Sequence, residues 1–301
     1  MAFSRTDEVR QLEPGLNTIF GDEYESHGEE HLALFDVHTS DKAWEEDVLF
    51  PGFGEAVVKP EGQGVTYANT EESWIARYNH ETVALAFAMT EEAMEDNLYM
   101  SLAPKLSKFL ARGMASFKQT KAANVANRAF NNSYLGGDGV ELLGTHTLAN
   151  GSTFANEPAT AADLSETSLE SILVDIAGVT DERGIPAALE GMHLIVPRQL
   201  MFTADRILNS PGRVQTPDND LNAIKNGGYL PKGFSVNHRL TDTDAWFIKT
   251  NSPNGLKMFQ RVPVQTKFEG DFETGNMRYK ARERYIFGWS DWRGLFGSPG
   301  A

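Results

Sequence analysis

Four short polar segments have residue types and spacings that could do chemistry. His27, Gly28, Glu29, Glu30 and His31 match the H-x-x-E-H pattern of inverted zinc peptidases. There, two histidines one helical turn apart bind the metal and the glutamate acts as base, so the chemistry would be metal-dependent hydrolysis by His27, Glu30 and His31. Gly28 weakens the helix that this pattern needs, and no partner segment offers a third ligand, so a solvated acidic turn is the expected structure. The residues from Asp218 through Asn219 and Asp220 to Asn222 open like a calcium loop. Ala223 stands where glycine is required and Tyr229 where the bidentate glutamate belongs, which points to a polar loop with a short helix. Asn131-Asn132-Ser133 and Asn150-Gly151-Ser152 fit the glycosylation pattern but are expected to be ordinary turns, because MAFSRTDEVRQ has no apolar core for a secretion signal. No nucleophile elbow, Walker loop or dinucleotide fingerprint is present, and the expectation is a protein without enzymatic activity or cofactor.

The whole chain narrows the classes further. It has 301 residues, 41% of them hydrophobic, enough for one large body or two modest domains. Cysteine is absent, which excludes disulfides, thiolate metal sites and thiol nucleophiles. No stretch approaches the roughly 20 apolar residues that span a bilayer. The net charge of −15 is segregated: residues 1–100 hold 22 Asp and Glu against 5 Lys and Arg, and residues 101–131 hold 6 Lys and Arg and no acid. Long-range repulsion argues against a sequence-reading DNA-binding module. The segregation implies that the acidic third of one copy meets the basic segment of another.

The elements that would position such contacts follow from patterning. Residues 1–45 carry scattered apolar residues (Leu12, Leu16, Ile19, Phe20) between acidic and glycine-rich spacers and read as an arm without a sustained period. From Asp47 to Met89 the runs DVLFPGF, EAVV, GVTYAN, SWIARY and TVALAFAM predict a long β-hairpin excursion with its tip at Lys59 to Gly64. Thr90 is expected to cap a long basic helix that Pro104 kinks or restarts. Its apolar positions are Leu102, Leu106, Phe109, Leu110, Met114, Phe117 and Val125. After Gly136-Gly137-Asp138-Gly139, a helix with a capping box at Asp163 and Glu166 should end at Gly178. Met192 to Val196 reads as a buried strand, and Pro197 as the first residue of a helix. A polar loop at 210–233 follows. FSV, AWFIK, LKMFQRVPVQ and MRYKARERYIFGW alternate with turns as strands. In the last of these, Met277, Tyr279, Ala281, Tyr285 and Phe287 alternate with Arg278, Lys280, Arg282 and Arg284, one face buried and the other basic. WRGLFGSPGA reads as a strand with a frayed tail.

This order of parts, with phrases such as HLIVPRQLMFTADRILNS and ARERYIFGWSDWRGLFG, resembles the major capsid proteins of tailed bacteriophages, the Hong Kong 97-type shell fold. The resemblance covers nearly the whole chain and rests on layout, not on a short signature. It implies an α+β fold with an N-terminal arm at 1–45 and an extended E-loop at 46–89. A peripheral domain of spine helix and β-sheet would occupy 90–134 and 249–301, and an axial domain 135–248. It further implies self-assembly as hexamers and pentamers into an icosahedral head around double-stranded DNA, which the protein would touch nonspecifically. Scaffolding, portal and decoration proteins would be further partners, with assembly in the host cytoplasm, a place in the virion and no membrane contact. Some relatives weld subunits by an isopeptide bond from an E-loop lysine, for which Lys59 is the single candidate; a solvated edge charge is the simpler role. The expected inter-subunit interface residues are Lys59, Glu61, Lys105, Lys108, Arg112, Lys118, Lys121 and Arg128. An encapsulin-like compartment shell shares the fold and is the near alternative; the zinc hydrolase is the alternative of another class.

Overall fold

A computed structural model describes residues 5–70, 72–90, 92, 99–212, 221–271 and 274–301, with the side chains of 5–12 and 99–101 also outside the description. The elements in chain order begin with α1 (Arg5–Ser26), a short 3-10 turn (Glu30–Ala33), β1 (Asp36–Thr39), β2 (Trp44–Val48), β3 (Ile75–Asn79) and β4 (Glu81–Met89). They continue with α2 (Tyr99–Asn127), β5 (Thr145–Thr147), β6 (Thr153–Ala155), α3 (Glu166–Ala177), β7 (Gly191–Pro197) and α4 (Met201–Asn209). The last are α5 (Ala223–Gly227), β8 (Phe234–Asn237), β9 (Trp246–Thr250), β10 (Leu256–Gly270), β11 (Met277–Trp289) and β12 (Leu295–Ser298).

Two four-stranded sheets organise the chain. The first has the order β1-β10-β11-β4, with β10 and β11 as a long antiparallel hairpin and β1 parallel to β10. The second has the order β12-β9-β7-β8. One of its faces carries both α3 and α4, whose apolar stripes (Leu169, Ile172, Ile176; Ala204, Ile207, Leu208) close over Leu194, Val196, Trp246, Ile248 and Phe296, while Ile195, Phe247 and Leu295 face the other core. Buried Asn156 ties the two halves by donating to the carbonyls of Leu142 (2.7 Å) and Leu295 (2.9 Å). At the crossing beneath the C-terminal segment, a Cβ on Gly294 would stand 2.3 Å from the Gly255 Cα, so only glycine fits.

Several expectations change against this frame. The arm contains a 22-residue helix, α1, which lays Leu16 and Phe20 (each 2% exposed) against α2 and β11. The β4 run TVALAFAM is not part of the excursion but pairs along β11, from Met89 opposite Met277 to Glu81 opposite Tyr285. EAVV and GVTYAN form no strands. Pro104 lies inside a continuous α2, six residues in, where its missing N–H forfeits a single helical bond. The buried face of α2 is built mainly from small residues, Ala103, Ser107, Ala111, Ala122 and Ala126, with Leu110 and Met114 among them. Phe109 and Phe117, expected in the core, point outward at 65% and 51% exposure. Ser165, not Asp163, caps α3: its Oγ accepts from the Ser168 N–H while Ser168 Oγ accepts from the Ser165 N–H. The tail is pinned, with the Gly300 N–H on Ser298 Oγ and the Ala301 N–H on Asp163 Oδ1. Gly178 caps α3 as expected, and β11 has the predicted inward and outward alternation.

Candidate assembly interface

The excursion is held at its base and free beyond it. β2 and β3 pair from Trp44 opposite Asn79 to Val48 opposite Ile75, and two further bonds extend the ladder, the Leu49 N–H to the Trp74 carbonyl and the Ser73 N–H to the Leu49 carbonyl. Lys257 on β10 fixes this base: its Nζ donates to Asp47 Oδ2 (2.7 Å) and Asn254 Oδ1 (3.0 Å). The glycine-rich break passes directly below, where a Cβ on Gly137 would stand 2.6 Å from the Trp74 ring. From residue 50 to residue 70 the chain forms no strand, and its turn at Glu61–Gly62 falls within the predicted tip, with Gly62 at φ +80°. Phe53, Val57, Val58, Val65 and Tyr67 are all exposed, Val58 at 93%. A segment that leaves this much apolar surface in water has not finished burying itself.

Beside the base of the excursion runs an open groove of about 460 Å³ between α2 and β11, whose apolar walls include Phe117, Leu135, Ile286 and Trp289, with Lys121 and Glu81 at its rim. It meets a second recess along β3, Gly136 and Gly137.

The expected interface residues divide. Lys59 and Glu61 stand exposed at the loop tip, and Lys105 and Arg112 stand exposed on α2. Arg128 is exposed with its guanidinium 4.4 Å over the Tyr134 ring. Lys108 is exposed and lies 3.9 Å from Glu23 on α1. Lys121 pairs with Glu81 on β4. Lys118, expected on the solvated face, instead turns inward, with only 7% of its side chain exposed, 3.9 Å from fully buried Glu283. Part of the charge complement expected between copies is therefore met inside one chain. Glu283 was missed because the alternation of β11 was read through its apolar members; position 283 belongs to the same inward series. Burial pushes its carboxyl above the ordinary range, with Lys118 pulling the other way. On the opposite face of the sheet, Arg278 pairs with Asp271 and Lys267 with Glu269, while Lys280 and Arg282 make no ion pair among the described residues.

Among the described residues the histidine motif does not come together as a site. His27 lies 3.7 Å from Glu23, one turn back in α1. Glu30 accepts from the backbone and ring of His238 and pairs with Arg239 at 3.4 Å. His31 is buried beneath α2, its backbone N–H on Gln119 Oε1 and its Nδ1 2.9 Å from Gln119 Nε2. Burial holds His31 below the usual histidine range, with nearby Lys118 acting in the same direction. The three residues thus face three different partners, and among the described residues no group of three potential ligands could hold a metal ion. Asp218, Asn219 and Asp220 lie outside the described residues. No described helix is long and apolar enough to cross a membrane.

Comparison with known proteins gives the same architecture. The virus-like particle from Pyrococcus furiosus matches with a TM-score of 0.52 at 10% identity, over 94% of this chain and 97% of that one. The procapsid of bacteriophage JBD30 matches with a TM-score of 0.54 at 13% identity, over 98% and 76%. The capsid of Myoviridae phage XM1 gives 0.52 at 12%, over 90% of each chain. At such identities these likenesses establish the fold, the α+β shell fold expected from the order of parts. No curated protein matches significantly in sequence. The family model described as phage capsid protein matches residues 75–297, from the start of β3 into β12, and the chain belongs to that family, a structural protein of the virion.

Proposed function

We propose that this protein is the major capsid subunit, assembling as hexamers and pentamers into a closed icosahedral head around double-stranded DNA. The observation that carries the proposal is the excursion: a firmly anchored base and a loop of apolar residues that the described residues of its own subunit leave exposed. The groove between α2 and β11 offers the complementary apolar surface, and acidic Glu55 and Glu61 on the loop match Arg128 and the exposed bases of α2. The loop of one copy would lie along a neighbour there, with Lys59 and Glu61 at the contact. The division of labour would then be an arm at 1–45, an E-loop narrowed from 46–89 to the stretch before β4, a peripheral part at 90–134 with 249–301 that β4 joins through β11, and an axial part at 135–248. Many such contacts, each modest, hold a closed shell together without one strong interface. Scaffolding, portal and decoration proteins would bind this shell, which would form in the host cytoplasm.

Electron microscopy of the expressed protein, beside size-exclusion chromatography, tests the proposal. Closed shells or capsomer rings support it. Protein that stays monomeric under all conditions, with and without its genomic neighbours, overturns it. DNA inside particles purified from infected cells separates a phage head from a compartment that encloses a cargo enzyme.

A further inference from the structure

The floor beneath α1 is not uniformly apolar. Leu16 and Phe20 rest against Leu110, Met114, Tyr279 and Ala281, but one turn further on Tyr24 lies over Glu283. Glu283 is wholly buried on the inward face of β11. Its Oε2 accepts from the Tyr24 hydroxyl at 3.1 Å and sits 3.9 Å from Lys118 Nζ, while its Oε1 has no partner among the described residues. The Tyr285 hydroxyl beside it is likewise buried without a partner among the described residues. The other charged groups around this chamber are Lys121, engaged by Glu81 of β4, and Glu29 and His31 at the 3-10 turn, with His31 held by Gln119. Lys118 also lies 6.0 Å from the Tyr24 ring and 5.7 Å from the Tyr285 ring.

One neutral hydroxyl and one long ion pair replace little of the water that a carboxylate loses on burial. The neutral acid has much less to lose. Burial likewise drives the Tyr24 phenol upward, so it remains a hydrogen-bond donor through the neutral range.

We propose that α1 is a proton-coupled strap, which seats over a protonated Glu283 and lifts when that carboxyl ionises. When α1 lifts, Tyr24 leaves the chamber and water reaches the carboxylate. The direction follows from linkage. Docked Glu283 keeps its proton to higher pH than a free glutamate does. Docking is therefore strongest below the free value and weakens as pH rises through the docked one. Lys118 opposes this by favouring the ionised form, so Lys118→Met should extend docking to higher pH.

Hydrogen exchange of the full chain, followed by mass spectrometry from about pH 5 to about pH 9 and corrected for intrinsic rates, reads this directly. Opening of residues 13–26 should rise with pH, with a limiting slope of about tenfold per unit, while α2 from 110 to 126 stays protected. Glu283→Gln should flatten the profile at its docked level. Tyr24→Phe should raise opening at every pH and keep the slope. A flat profile in the unmodified protein, or a slope that survives Glu283→Gln, overturns the proposal. The measurement needs no shell, so its failure would leave the capsid role untouched.

Discussion

Replacing Phe53 and Val58 together by serine separates folding from assembly. The two side chains are 60% and 93% exposed and lie on a loop without strand pairing, so the subunit core does not depend on them. Unfolding of the isolated subunit should therefore change by less than about 0.5 kcal/mol. If the loop is covered by a neighbour, each residue gains roughly 1.5–3 kcal/mol on burial, or about 4 kcal/mol for the pair. At about 1.4 kcal/mol per decade, the concentration at which shells appear should rise roughly a thousandfold. Light scattering against protein concentration, with electron microscopy of the products, gives that threshold, and urea unfolding of the unassembled subunit gives the control. Shells forming at the unmodified concentration would refute the reasoning. So would a subunit destabilised by more than about 1 kcal/mol, since the loop would then be part of the fold.

Four further outcomes follow from the same structure. Arg293 is buried, with Nη2 2.7 Å from Glu182 and Nε donating to the Thr180 carbonyl at 3.0 Å; Arg293→Met strands Glu182 and should cost about 3–5 kcal/mol in urea unfolding, and a loss below about 1 kcal/mol would contradict it. Gly294→Ala pushes a methyl into the Gly255 backbone and should cut soluble yield and melting temperature sharply; unchanged melting would mean that the crossing can open. His31 is held below its ordinary value of 6.5, so its contribution is complete above that value and is lost as pH falls through the lowered one. His31→Gln should flatten the acid limb of the stability profile, and an unaltered limb would exclude His31 as a source. Assembly through the acidic loop and the exposed bases of α2 should weaken with salt, and a yield equal at low and high ionic strength would count against electrostatic registration.

β11 was legible because period-2 alternation survives where one face is buried, and β7 and β9 because they are short apolar runs between turn residues; β1 was not, since its four exposed residues give no pattern inside the segment read as an arm. The same signal misled at EAVV and GVTYAN, where alternation had no sheet to pair with inside one subunit. α1 escaped notice because Pro14, Gly15 and Gly21 interrupt it and its apolar face is a single narrow line. Leu12, Leu16, Phe20 and Tyr24 recur at every fourth residue, and that line was the available clue. On α2 the large residues drew attention away from the alanines, although close helix–sheet approach selects small side chains. Glu283 could have been found as the one acid on an otherwise apolar strand face. Lys118 could not, because six bases on a long helix give no sign of which one turns inward.

The last strand has a consequence for how the chain comes into being. β12 pairs with β9 and brings Phe296 into one core and Leu295 into the other, with Trp292 just before it. Residues 1–290 on their own would leave both interiors open to water. During synthesis, closure must wait for the segment to residue 298 to emerge, and it then forms contacts reaching back across most of the chain. Truncation before Trp292 would therefore expose apolar surface of two cores at once, a far larger loss than the few residues removed suggest.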